Sequence, residues 1–307
     1  MGRILVVGSL NMDTTIALPH IPVVGETVLA DNSHVNPGGK GANQAYAIGK
    51  LGGNVGMLGA IGNDKFGEVL TCNLRDACVD VSGLVTKTGV STGNAIIYVN
   101  EQGDNCIVVI QGANAMLSVK NVQWHSDMIM ESDIVILQME IPMDTISYVI
   151  HTAAKAGKKV ILDPAPAVSD FPKELYPYID IIKPNETELG ILLNNPNAVG
   201  NITASARQLR EYGVKNVVVT LGKQGAYVDS DECVKGIVPS YAAKTVDTTA
   251  AGDTFIAAMA VKLAEGAALM DAVDYANLVS SIVVSRKGAQ SSIPTRAEMD
   301  SIIALNN

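Results

Sequence analysis

The chain has 307 residues, 48% of them hydrophobic and 17% charged, which is enough apolar material for a large core and argues against disorder. With 31 acidic against 22 basic residues its net charge is -9, so it is not built as a general nucleic-acid or anionic-membrane binder, and any phosphate it handles needs a local site. Cys72, Cys78, Cys106 and Cys233 form no CxxC pair and no Cys/His cluster, which suggests neither a disulfide framework nor a zinc site and fits a reducing cytoplasm.

The opening ILVVG is too short for a secretory apolar region and predicts a first buried strand, with Asn11 and Asp13 just past its end. TTIALPHIPVVGETVLADNSHVNP, with its Gly, Asn and Pro turns, predicts antiparallel hairpin material. NPGGKGANQAYAIGKLGG follows. Its glycines, Gly39 among them, allow a ligand close to the backbone, while Lys40 and Asn43 supply donors ahead of an Ala-rich helix. The order of residues is neither a Walker A loop nor a GxGxxG dinucleotide fingerprint. VGMLGAI predicts a second strand of the main sheet, and STGNAIIYVNEQGDNCIVVIQGAN a second hairpin. The expectation is one α/β domain, residues 1–307, with a small β lid formed by segments of about 14–37 and 91–111.

In the second half, DIVILQM, KVILDP, DIIKP and NVVVTLG predict strands, and DTISYVIHTAAKAG and ASARQLREYG predict helices between them. Such alternation implies a mainly parallel sheet. Polar residues stand beyond several of these strands: Glu140 after the first, Asn185 and Glu188 after DIIKP, Lys223 and Gly225 after NVVVTLG. Open α/β sheets bind ligands at that rim, so the set describes a small polar ligand meeting a phosphate donor. No run is long enough for a membrane span, and Trp124 and the four histidines read as packing or surface residues.

KTVDTTAAGDTF, residues 244–255, carries the sharpest chemistry. Ala250, Ala251 and Gly252 fall where a helix begins and backbone N–H groups lack partners, a place that attracts anions. Asp253 is then either a base working beside a bound phosphate or simply the cap of its helix.

GGKGANQA, PNETE, TLGKQGA, DTTAAGDTF and SRKGAQSSIP, in that order along nearly the whole chain, resemble the ribokinase family of carbohydrate kinases. The resemblance implies a three-layer α/β sandwich with a mainly parallel central sheet and a small antiparallel β lid through which such enzymes pair as homodimers. It implies ATP-dependent transfer of the γ-phosphoryl group to the 5-hydroxyl of D-ribose in the cytoplasm, with no nucleic-acid or membrane partner. Asp253 would be the base, and the amides of Ala250, Ala251 and Gly252 an anion hole. Asn11, Asp13, Gly39, Lys40, Asn43 and Glu140 would hold the sugar. Asn185, Thr220, Gly222, Lys223, Gly225, Gly252 and Asn277 would line the nucleotide site, and Asn185 and Glu188 would organise Mg2+ through water. Asp247 and Ser292, with carbonyls of Thr249, Val283, Arg286 and Gly288, would hold K+.

Two other classes are weaker. A nicotinamide-dependent dehydrogenase should carry the glycine fingerprint that VVGSLNMD lacks, and a noncatalytic sugar binder could dispense with Asp253 and its turn. Within the kinases, 2-deoxyribose, another pentose or a nucleoside stays open. Asn11 favours ribose, since the deoxyribose-specific relatives look apolar at that position.

Overall fold

The computed structural model describes residues 1–231 and 234–306; Cys233 lies outside the described residues. The strands in chain order are β1 (Arg3–Val7), β2 (Asn11–Ala17), β3 (Asn32–Gly38), β4 (Asn54–Gly62), β5 (Asp80–Lys87), β6 (Gly93–Val99) and β7 (Asn105–Ile110) in the first half. They continue as β8 (Ile134–Leu137), β9 (Lys159–Leu162), β10 (Ile181–Ile182), β11 (Asn216–Thr220), β12 (Ala226–Ser230) and β13 (Lys235–Val238). The helices are α1 (Lys40–Lys50), α2 (Lys65–Asp76), α3 (Val119–Trp124), α4 (Ser126–Glu131) and α5 (Met143–Lys155), then α6 (Glu186–Leu192), α7 (Ile202–Glu211), α8 (Ala251–Ala264), α9 (Leu269–Val283) and α10 (Arg296–Asn306).

Nine strands form the main sheet in the order β13-β12-β11-β10-β9-β8-β1-β4-β5. Pairing is parallel from β5 through β11; β12 is reversed, pairing antiparallel with both β11 and β13. The strands β1, β4, β8, β9 and β11 are apolar on both faces, as a sheet covered on both sides requires. Along β1, Ile4 and Val6 join the core packed by α1, α2, α8, α9 and α10, while Leu5 and Val7 join the core packed by α3 to α7. This period-two division produces the three layers. From β1 the chain builds outward to β4 on one side and β8 on the other, so the C-terminal ends of β1 and β8 flank a switch point of the kind where α/β sheets bind ligands.

The small sheet, in the order β3-β2-β6-β7, leaves the main body directly after β1. Each half is an antiparallel hairpin-like pair, and the halves join through a parallel β2–β6 pairing, from Asn11↔Gly93 to Ala17↔Val99. The first lid strand begins at Asn11, three residues before the expected segment, so Asn11 and Asp13 belong to the lid sheet. The structure adds β5, β12 and β13, which the apolar pattern did not signal. Their short or irregular alternation, such as the mixed burial along β5, explains why. DIIKP contributes a strand of only two residues, and Trp124 is exposed.

Candidate functional site

The chain enters α8 through a tight turn in which Ala250 adopts a left-handed conformation, φ 61°, that L-residues usually avoid. Backbone held this way marks a position the fold over-determines. The turn aims the start of α8 at a cavity of about 720 Å³ along the C-terminal ends of β9, β10 and β11. The amide of Ala251 already donates to Thr248 O at 3.2 Å, so of the three expected anion-hole amides it is the engaged one. Gly252 and Asp253 belong to the first helical turn, whose amides have no preceding turn to donate to.

Asp253 is buried, 7% exposed, at the mouth of this turn. Its carboxylate accepts from Asn43 Nδ2 at 3.0 Å and Gln44 Nε2 at 3.2 Å, both from α1 behind the glycine-rich loop. Burial pushes its pKa up, and Asp163 pushes it further. Lys40, Asn43 and Lys183 oppose the rise without cancelling it. Burial would lower the Lys40 ammonium, but Asp253, Asp163, Glu140 and Glu188 outweigh it and hold its pKa above the usual range. A buried base beside a cation and an anion-binding turn suits proton removal next to a phosphoryl group.

The cavity is lined at one end by Lys40, Asp253, Gly252, Ala251 and Ala250. Asn185, Glu188, Thr220, Gly222, Lys223, Gly225 and Asn277 line the rest, so every residue expected on the nucleotide side faces one space. Asn277 Nδ2 donates to the carbonyls of Val238 and Pro239 at 3.0 and 3.2 Å, fixing the chain beyond β13 against α9. Asn185 and Glu188 form a reciprocal helix cap, each side chain accepting from the other's backbone N–H at 2.8 Å. Burial raises the Glu188 pKa, with Lys183 and the Asn185 amide pulling the other way. Among the described residues no group of three or more His, Cys, Asp or Glu could hold a metal directly.

Asn11, Asp13, Gly39, Asn43 and Glu140 do not line that cavity; Asp13 lies near Glu140 and Asp253, Gly39 against Asn11, and Asn43 on Asp253. Asn11 pairs with Gly38 across β2 and β3, and a side chain at Gly38 would collide with the Asp13 carboxylate. Gly39 has φ 86°, and a Cβ there would lie 2.7 Å from the Asn11 amide nitrogen, so only glycine lets this loop pass so near. Glu140 accepts from Ser9 Oγ at 2.5 Å and from the Lys40 amide at 3.2 Å. Asp13 Oδ1 is buried without a hydrogen-bond partner, and burial, with Glu140 and Asp253 nearby, pushes its pKa up to about 6. A buried acceptor of this kind awaits a donor.

Behind the α8 turn, Asp247 Oδ1 accepts from the Thr249 amide at 2.9 Å and its hydroxyl at 2.6 Å, and Oδ2 accepts from the Gly288 amide at 2.9 Å. The Asp247 amide donates to Val284 O at 3.2 Å, and Arg286 N donates to Val283 O at 3.1 Å. Arg286 also reaches Ser292 O at 3.4 Å. The six residues expected around a monovalent cation therefore adjoin one another. Burial would raise the Asp247 carboxyl, but bonds from Thr249 and Gly288, with Lys287 nearby, hold it below its ordinary range. An ionised carboxylate is an oxygen ligand of the kind a hard cation takes, and here both of its oxygens already accept from N–H or O–H groups.

Several residues that matter were not singled out from the sequence. Gln44, wholly buried, donates to Asp163 at 2.9 Å as well as to Asp253, and accepts from Gln138 Nε2 at 2.6 Å. Asp163 closes β9 and Lys183 closes β10, where a charged residue ending an apolar run was the available signal. Gln290, inside the quoted RKGAQSS, donates to Asn43 Oδ1 at 3.0 Å and so orients the Asn43 amide toward Asp253. Asn114 had no local signal.

Comparison with known proteins bears on the family and the fold. The profile of the pfkB family carbohydrate kinases matches residues 1–296. A ribokinase of Schizosaccharomyces pombe is 38% identical over 98% of this chain and 97% of its own, and a deoxyribokinase of Salmonella typhi is 34% identical over 99% of each. The solved structure of the Arabidopsis thaliana ribokinase complexed with ribose and ATP superposes with a TM-score of 0.90 at 32% identity, covering 98% of both chains. The chain belongs to the pfkB family of carbohydrate kinases.

Proposed function

We propose that the chain is an ATP-dependent sugar kinase that transfers the γ-phosphoryl group to the 5-hydroxyl of D-ribose, giving ribose 5-phosphate and ADP. The observation that carries this reading is the position of Asp253: buried, raised in pKa, hydrogen-bonded to Asn43 of the glycine-rich segment, and one residue from the anion-binding turn of the cavity. The curated ribokinases and the ribose–ATP complex of the plant relative support it.

In this reading the sugar lies between lid and sheet, with its hydroxyls on Asn11, Asp13, Lys40, Asn43 and Glu140 and the Gly39 backbone. ATP occupies the larger cavity, its base near Asn277 and its phosphates along Thr220–Gly225 and Lys223. Asp253 accepts the proton of the 5-hydroxyl as that oxygen attacks. Charge on the transferred group meets the amides at Ala250 and Gly252 and the head of α8, while Lys40 offsets the negative potential of the carboxylates. Positioning and electrostatics supply most of the acceleration in such transfers. Asn185 and Glu188 would hold Mg2+ through water with the nucleotide, and the ion would supply charge neutralisation at the phosphates. Asp247, Thr249, Val283, Arg286, Gly288 and Ser292 would hold K+, which would supply positive charge beside the segment leading into α8. Two copies pair through the lid, whose strand β7 exposes Ile107, Val108, Val109 and Ile110.

The second reading is a 2-deoxyribose kinase, favoured by the 34% identity to a deoxyribokinase. The buried amide of Asn11 argues for ribose. A panel of pentoses with ATP and Mg2+, followed by ADP release, decides between them. Ribose as the best substrate supports the proposal, and ATP consumption with no sugar of the panel overturns it.

A further inference from the structure

We propose that Asn114 is a positioning residue for sugar recognition: it sets the Asn11 amide so that Nδ2, a hydrogen-bond donor, is the end presented to the 2-position of the sugar. The inference rests on the reading of Asn11 as a sugar contact and specifies how that contact works.

Asn114 lies in the turn Gly112–Met116 that follows β7, and is 2% exposed. Its side chain brackets the backbone of Leu10: Oδ1 accepts from Leu10 N at 2.9 Å, and Nδ2 donates to Leu10 O at 3.0 Å. A backbone N–H can only donate and a backbone carbonyl only accept, so Leu10 assigns the two ends of the Asn114 amide. The same Nδ2 donates to Asn11 at 2.8 Å, and the receiving atom must then be the Asn11 oxygen. By elimination Nδ2 of Asn11 is the end turned away from Asn114. Two residues further along β2, on the same face, Asp13 holds its unpartnered Oδ1. An ionised carboxylate accepts only, so sugar hydroxyls reaching Asp13 give their protons to it and keep lone pairs that need a donor. Asn11 Nδ2 is that donor.

Gly93, opposite Asn11 in the β2–β6 pairing, makes the contact possible. A Cβ at residue 93 would stand 2.3 Å from both Asn11 Oδ1 and Asn114 Nδ2.

The test compares kcat/KM for ribose, 2-deoxyribose and 2-deoxy-2-fluororibose. Fluorine at the 2-position accepts weakly and cannot donate, so in the wild type the fluoro sugar should lie between the other two, with 2-deoxyribose roughly tenfold to a hundredfold below ribose. Asn114→Asp keeps the size and the acceptor for Leu10 N but sets an acceptor against Asn11 Oδ1, and should shrink the ribose preference about tenfold and abolish the gain from fluorine. In an Asn11→Met background it should leave the ratio unchanged. A purely structural role for Asn114 would lower all three sugars together and leave their ratios alone, which would overturn the proposal. So would a wild type that uses the fluoro sugar no better than 2-deoxyribose, a measurement that needs no variant. If the wild type uses ribose and 2-deoxyribose equally and Asn11→Met changes nothing, the sugar contact of Asn11 itself fails. A preference that Asn11→Met narrows and the Asn114 variant does not overturns only the role of Asn114.

Discussion

Lys183 and Asp163 face each other beside the turn that opens α8, Nζ 3.1 Å from Oδ1, with side chains 5% and 1% exposed. The contact has ion-pair distance without hydrogen-bond alignment, since Oδ1 makes no hydrogen bond. Lys183 also reaches Gly252 O at 3.5 Å, and Asp163 takes a bond from Gln44, so the pair touches both the turn and the network around Asp253. Removing one member leaves a buried charge uncompensated. Lys183→Met should therefore lower unfolding stability by about 3 to 5 kcal/mol, whereas Lys183→Met with Asp163→Leu should recover much of that loss. Urea unfolding of both variants checks this; a double variant no more stable than the single one contradicts it.

Asp253→Asn keeps the shape of the site and the approach of Asn43 while removing the proton acceptor. Turnover should fall roughly 100-fold to 10,000-fold, with ribose and ATP still bound. Steady-state kinetics beside calorimetric titration separates the two effects. Wild-type turnover in the variant would remove Asp253 from the role of base.

Asp13 carries a pH signature of two signs. Its pKa stands at about 6 against an ordinary 3.8, so the folded, sugar-free protein holds a proton in the window between those values that the unfolded chain has released. Stability should decline as pH rises through that window, and Asp13→Asn should be more stable than wild type at pH 7 by about 2 to 3 kcal/mol. Sugar binding runs the other way. It uses the ionised carboxylate, so kcat/KM for ribose should fall as pH drops below about 6, with Asp253, also raised, adding to the same limb. Thermal unfolding from pH 4 to 8 and a pH–rate profile test the two halves independently.

If the oxygen cluster around Asp247 holds a monovalent cation, K+ should raise turnover over Na+ at equal ionic strength. Asp247→Ala should erase that difference, because it removes the one carboxylate of the set. A wild type indifferent to the cation would count against the site.

The parts of the molecule visible in the sequence were those whose meaning is local. The glycines around Lys40 and the small residues before Asp253 announce backbone geometry within a few positions, and the apolar runs of β1, β8, β9 and β11 announce buried strands. What escaped was made by distance along the chain. Gln44 acquires its role from residues 119 and 209 positions away, and Asn114 from one 103 away, so neither has a neighbourhood that signals it. The lid was legible as hairpins, but the parallel joint between β2 and β6 was not, because strands some eighty residues apart carry no turn between them to report their direction.

That joint also divides the labour of binding. Asn11 and Asp13 sit on a strand of the small sheet, whereas Asn43, Glu140 and Asp253 lie on α1, after β8 and on α8 of the main body, so in the proposed reading the sugar is the clasp between two plates. The nucleotide cavity, by contrast, is assembled from the large plate apart from any lid residue. Changes that loosen the small plate should thus weaken the hold on sugar and spare the hold on nucleotide, and a bound sugar should in turn stiffen the seam along Ser9 and Leu10 where the plates meet.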